Sequence, residues 1–104
     1  MLAITITARH CEIPAELRAR ADEVCRRLGA QAQRPLEASV TFDVDGLALT
    51  AEIRLHSSRG DTFVATGDGK DHRSALDRAE EKLKRQLEKR HLRPGRGRAA
   101  AADA

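Results

Sequence analysis

Hydrophobic and polar positions along the 104-residue chain fall into two alternating rhythms. Leu2, Ile4 and Ile6 alternate with smaller or polar neighbours, the period-two pattern of a half-buried strand. From Pro14 the period lengthens, and Leu17, Ala21, Val24 and Leu28 recur as one helical stripe. Pro14 suits a helix start, where its missing N–H would lack an intrahelical partner anyway, and Gly29 suits a helix end. The spacing therefore predicts a first helix over about 14–28. Alternation returns at Leu36, Ala38, Val40, Phe42 and Val44, breaks at Asp45-Gly46, and resumes at Leu47, Leu49, Ala51, Ile53 and Leu55. Asp-Gly between two alternating runs predicts a β-hairpin. After Ser57–Gly60 a shorter strand turns Phe63 and Ala65 inward and Thr62, Val64 and Thr66 outward, and Gly67-Asp68-Gly69 is expected to end it. From Asp71 to Leu92 there is no internal Gly or Pro, and Leu76, Ala79, Leu83 and Leu87 form one stripe before Pro94-Gly95.

The expected order is β-α-β-β-β-α, with one apolar face per strand and one apolar stripe per helix. This is an α+β two-layer sandwich with both helices on one face of a four-stranded sheet. The opposite face, carrying Thr50, Glu52, Arg54 and His56, should be wet. Residues 1–93 are expected to form a single domain and 94–104 a flexible tail, since Gly-Arg-Gly-Arg and the following alanines offer nothing to bury.

Charge changes the picture more than overall composition does. The formal net charge is +3. Residues 1–70 hold nine Lys or Arg against ten Asp or Glu, whereas residues 71–98 hold ten against five, so the positive surface belongs to the C-terminal quarter and favours an anionic partner. At 100° per residue, Arg78, Lys82, Arg85 and Lys89 fall within a sector of about 60° on the second helix, away from the Leu83 stripe. Asp77, Glu81 and Glu88 gather with Lys84 on a third face. The bland reading of such a helix is a solubilising surface laced by Glu80–Lys84 and Glu81–Arg85 pairs. Phe42 and Phe63 are the only aromatic residues, so contact with nucleic acid must depend on charge and shape more than on base stacking.

Enzyme chemistry has little to stand on. There is no glycine-rich phosphate loop with its lysine and no Gly-x-Ser-x-Gly, and Gly67-Asp68-Gly69 lacks the spacing of a nucleotide fingerprint. His10-Cys11 beside Glu12, or with His56, offers no third orienting group for a nucleophile or metal. No catalytic residue, metal site or cofactor is expected. Cys11 and Cys25 read as small apolar fillers in a reduced compartment. No apolar run reaches the ~20 residues of a membrane span and no secretory signal opens the chain, so a cytoplasmic protein is expected.

Several stretches resemble the ribosome hibernation-promoting factors and the related ribosome-associated inhibitor. Arg9-His10-Cys11-Glu12-Ile13 resembles the family's Lys/Arg-His-Val-Glu-Val/Ile turn, Leu17-Arg18 its Leu-Arg pair, and Arg27-Leu28 its Lys-Leu. Ala75-Leu76-Asp77, Lys82-Leu83, Arg85-Gln86-Leu87 and Lys89 match the last helix in register. The resemblance covers residues 1–93 and implies a short form without the C-terminal dimerisation domain. It also implies a monomer that acts under stress or in stationary phase, binding the small ribosomal subunit and its ribosomal RNA in the mRNA/tRNA channel and inhibiting translation by occlusion. The RNA contacts it implies are Lys82, Arg85 and Lys89, with Arg27 and Arg9 as weaker ones; Arg78 joins them by helical geometry alone. Three positions depart from the pattern: Arg73 replaces an aromatic residue and so adds a cation, Pro14 stands near where the family usually has a Thr cap, and Val24 replaces a lysine and so removes one. The alternatives are a stand-alone RNA-binding regulator using the same helix on another target, and, behind it, a small hydrolase of similar architecture.

Overall fold

The computed structural model describes residues 2–58 and 60–92, the side chains of 90–92 excepted. The elements run β1 Ala3–Ala8, α1 Ala15–Gln31, β2 Pro35–Asp45, β3 Ala48–Ser57, β4 Thr62–Gly69 and α2 His72–Leu92. The expected α+β order is thus the observed one. The expectation of a flexible tail at 94–104 lies outside the described residues.

The four strands form one sheet in the order β1-β2-β3-β4. β1 and β2 are parallel, from Ala3↔Glu37 to Ala8↔Phe42, which requires a long crossover that α1 supplies. β2, β3 and β4 are antiparallel neighbours, and Gly46, at φ 65°, takes the left-handed conformation that the β2–β3 turn needs. Both helices pack on one face: α1 lies over β1 and β2, and α2 over β3 and β4. Their apolar stripes meet Val40, Phe42, Ile53 and Leu55 in a single core. Asp71 caps α2 by accepting the Ser74 N–H at 2.7 Å, and that bond holds its carboxyl below the usual carboxylate range.

Four expectations need correction. α1 runs on to Gln31, with Gly29 buried inside it: a Cβ there would sit 2.8 Å from Leu2 Cδ2, so this glycine makes room for β1 and does not end the helix. β4 continues through Gly67-Asp68-Gly69, paired to Leu49 at its end. Gly67 is needed because α2 lies directly on it; an added Cβ would press on the Ala75 carbonyl and approach the Ala79 nitrogen to 2.6 Å. Leu36 and Leu47 break the apolar alternation, at 41% and 103% relative exposure. The pairing register slips between Pro35 and Glu37, leaving Leu36 outside the core, and Leu47 lies in the hairpin turn. Finally, Val24 is fully buried, so its side chain belongs to the core and a lysine there would meet apolar neighbours, not phosphate.

The two thiols differ as their burial requires. Cys25 is fully enclosed and its pKa is pushed up to about 12, chiefly by burial and secondarily by Asp22. Cys11 is only partly buried. In the native protein, a thiol reagent at neutral pH is expected to label Cys11 alone, with Cys25 reacting only after denaturant is added; mass-spectrometric mapping of the labelled peptides reads the difference.

Candidate nucleic-acid interface

All four cations of the α2 row are exposed, and Arg78 and Lys82 reach over β4, one of the two edge strands of the sheet. Arg78 Nη1 donates to the Asp68 carbonyl at 2.7 Å and Lys82 Nζ to the Thr66 carbonyl at 2.8 Å. Gln86 Nε2 extends the series to the Val64 carbonyl at 2.9 Å. The geometry follows from two repeats: four helical residues advance about 6 Å, and two residues of an antiparallel strand about 6.8 Å. Each turn of α2 therefore meets the next outward carbonyl of β4. Arginine has five N–H donors and lysine three, so a carbonyl occupies only one and leaves the head group able to bind an anion. Holding the head in place also reduces the rotamer freedom lost on binding.

The rest of the row is looser. Arg85 Nη2 lies 3.8 Å from Glu81 Oε2 with both side chains 68% exposed, a pair of little strength. Lys89 has no ion pair or hydrogen bond among the described residues. Arg73, next to the Asp71 cap, is also exposed.

The six candidate contacts occupy three places. Arg78, Lys82, Arg85 and Lys89 share one side of α2. Arg27 is on α1 and donates to Glu80 through Nε at 3.1 Å and Nη2 at 3.3 Å. Arg20 similarly reaches Asp77 at 2.8 Å. Two of α2's acids thus form an inter-helix seam, and Glu80 faces Arg27 instead of Lys84, so Arg27 is partly neutralised and separated from the row by the body of α2. Arg9 follows β1 at the opposite edge of the sheet, three strand spacings or about 14 Å from β4. Its Nη1 is 3.9 Å from Asp43 Oδ2. Asp43 also accepts from His10 Nδ1 at 3.0 Å, and that bond, followed by one from the Val44 N–H, lowers its pKa. His10 holds φ at 60°, so this contact fixes an otherwise unfavourable loop conformation.

The structure also joins residues too distant in sequence to be linked by spacing. Cys11 Sγ lies 3.9 Å from His72 Nε2, and His72 stacks edge-on against Phe42 at 5.5 Å between centroids. His56, considered beside Cys11 from sequence, instead meets Thr62 Oγ1 at 2.9 Å. His72 Nε2 is 2.9 Å from the Asp43 carbonyl, so that nitrogen must carry the proton and cannot take one from Cys11. Cys11 directs its thiol to the Phe42 carbonyl at 3.7 Å. Among the described residues, no group of three or more His, Cys, Asp or Glu is placed to hold a metal ion, and no helix is long and apolar enough to cross a membrane.

The fold is similar to that of the N-terminal domain of Protein Y from Thermus thermophilus, with a TM-score of 0.72 and 25% identity over 86% of this chain and 98% of that one. A ribosomal subunit interface protein from Coxiella burnetii shares the fold at a TM-score of 0.74 and 21% identity, over 88% of this chain and 99% of its own. No curated protein sequence matches. The family described as sigma 54 modulation protein / S30EA ribosomal protein matches residues 4–93, which run from β1 to just past the end of α2. The chain belongs to the sigma 54 modulation protein / S30EA ribosomal protein family.

Proposed function

We propose that this protein is a non-enzymatic ribosome hibernation factor of the cytoplasm, which binds the small subunit in the channel used by mRNA and tRNA and inhibits translation by occlusion. The observation that carries the reading is the row of exposed cations on α2, presented by a chain whose family is ribosome-associated. Lys82, Arg85 and Lys89, with Arg78, would replace condensed cations along ribosomal RNA phosphates. Arg27 and Arg9 would contribute less, the first opposed by Glu80 and the second remote from the row. Two phenylalanines leave little surface for base stacking, and Phe42 is fully buried, so affinity would come from charge and from the shape of a rigid domain.

Sedimentation through sucrose at low salt tests the reading. The protein is expected to travel with free small subunits as a monomer and to be displaced by long mRNA. If it stays at the top of the gradient while intact ribosomes sediment normally, the ribosomal reading is wrong. Capture of another RNA under the same conditions would favour a stand-alone regulator.

A further inference from the structure

An antiparallel strand at the edge of a sheet turns both polar groups of every second residue away from its neighbour, and such an edge can template pairing with another strand. In β4 the outward residues are Val64, Thr66 and Asp68, whose carbonyls accept from Gln86, Lys82 and Arg78. The strand has few defences of its own. From Thr62 to Gly67 it contains no charge and no proline, and its β-branched Thr62, Val64 and Thr66 suit a pleated surface. Cover for its acceptors comes from α2. Gln86 is the informative member of the series, because it is neutral and yet continues the same spacing; what the three side chains share is a donor, not a charge. At the other edge of the sheet Arg18 Nη1 donates to the Ile6 carbonyl of β1 at 3.1 Å, the same solution with a different helix.

We infer that Arg78, Lys82 and Gln86 form an edge guard that prevents β4 from pairing with β4 of a second copy of this chain. A second copy is the occupant that the edge fits, because antiparallel pairing centred on Thr66 is self-complementary. The outward N–H of Val64 would meet the carbonyl of Asp68 of the other copy, Thr66 would meet Thr66, and the reciprocal bonds would follow by two-fold symmetry. The guard occupies the acceptors of that ladder. The inference is independent of the ribosomal reading, since it concerns only the free protein.

Light scattering and equilibrium sedimentation of the full chain over a range of concentrations test it, with far-UV circular dichroism to show that each variant is folded. The wild type is expected to remain a monomer. Arg78→Ala/Lys82→Ala/Gln86→Ala is expected to double its apparent mass as concentration rises; should that variant fail to fold, Lys82→Ala/Gln86→Ala is measured in its place. Arg78→Gln/Lys82→Gln loses the same two charges as the triple variant but keeps donors of the kind that already reaches Val64, and it should stay monomeric. Adding Thr66→Pro to the alanine background removes the central outward N–H and should return the mass to that of one chain. A folded alanine variant that is monomeric throughout overturns the inference. So does a glutamine variant that associates as strongly as the alanine one, which would make charge repulsion the cause, or a dimer indifferent to Thr66→Pro.

Discussion

Replacing Lys82, Arg85 and Lys89 together by alanine is expected to weaken small-subunit binding roughly 100- to 500-fold at ~0.1 M salt and to reduce the magnitude of the log K against log salt slope by about 2.1–2.7. Each neutralised phosphate contributes ~0.7–0.9 to that slope, and at ~0.1 M salt the same factor is its contribution in log units to affinity. The three side chains are exposed, so their removal leaves the Leu76, Leu83 and Leu87 stripe intact and the domain folded. Lys82 has a second partner in the Thr66 carbonyl. Lys82→Gln is therefore the cleaner single substitution, keeping that bond while removing the charge. Glu81→Ala and Glu88→Ala should leave binding unchanged or slightly stronger. Arg27→Ala should have less effect than any member of the row, because its guanidinium already faces Glu80. Titrations at several salt concentrations measure both affinity and slope, and a triple variant unchanged in both would reduce the row to a solvated surface.

Gly67→Ala is expected to destabilise the domain by about 3 kcal/mol, the upper part of the usual range for overpacking. The added methyl group would meet main-chain atoms of Ala75 and Ala79, and main chain inside a helix cannot swing aside as the end of a side chain can. α2 would have to lift from β4 along its length, opening the core beneath Leu76 and Leu83. For a domain of this size, ~3 kcal/mol corresponds to a thermal midpoint lower by roughly 12–24 °C. Gly69→Ala is the comparison: its nearest neighbour is Ser74 Cβ at 3.1 Å, so a small local shift suffices and the loss should be much smaller. Thermal and urea unfolding of both variants measure the difference, and equal midpoints would mean that α2 does not press on Gly67 as tightly as the structure places it.

The two variants probe features of very different legibility. The basic row could be read from the spacing of Arg78, Lys82, Arg85 and Lys89, because helical periodicity alone brings those positions to one side. The role of Gly67 could not be read this way. In sequence, Gly67-Asp68-Gly69 has the appearance of a turn, and only the approach of α2, from eight or more residues further along the chain, explains why a strand needs a glycine there. Gly29 misleads for the same reason: its type suits a helix end, but its missing side chain accommodates Leu2, just before β1. In both cases local propensity points to a break, and tertiary packing uses the absent Cβ instead.

Side-chain partners follow the same division. Glu81–Arg85 is a pair that spacing anticipates, and it is present though long. Glu80 has an equally good local partner in Lys84 but turns to Arg27, because α1 lies beside it. Cys11 meets His72 across 61 positions of sequence, a proximity set by where the loop after β1 passes the start of α2.

Periodicity alone was enough to give the six elements, their order, the helical stripes, most of each strand's apolar face and the concentration of positive charge on the last helix, since these depend on residues within a few turns of one another; Leu36 and Leu47, at a register slip and a turn, are the exceptions. Where the cations lie relative to one another depended on packing: Arg27 is tied to Glu80, Arg9 sits at the far edge of the sheet, and Arg78, Lys82 and Gln86 lie along the carbonyls of β4. The physical reason is that hydrogen bonds and ion pairs form wherever packing brings donors to acceptors, and packing is fixed by the whole core, not by the neighbours of a residue in the chain.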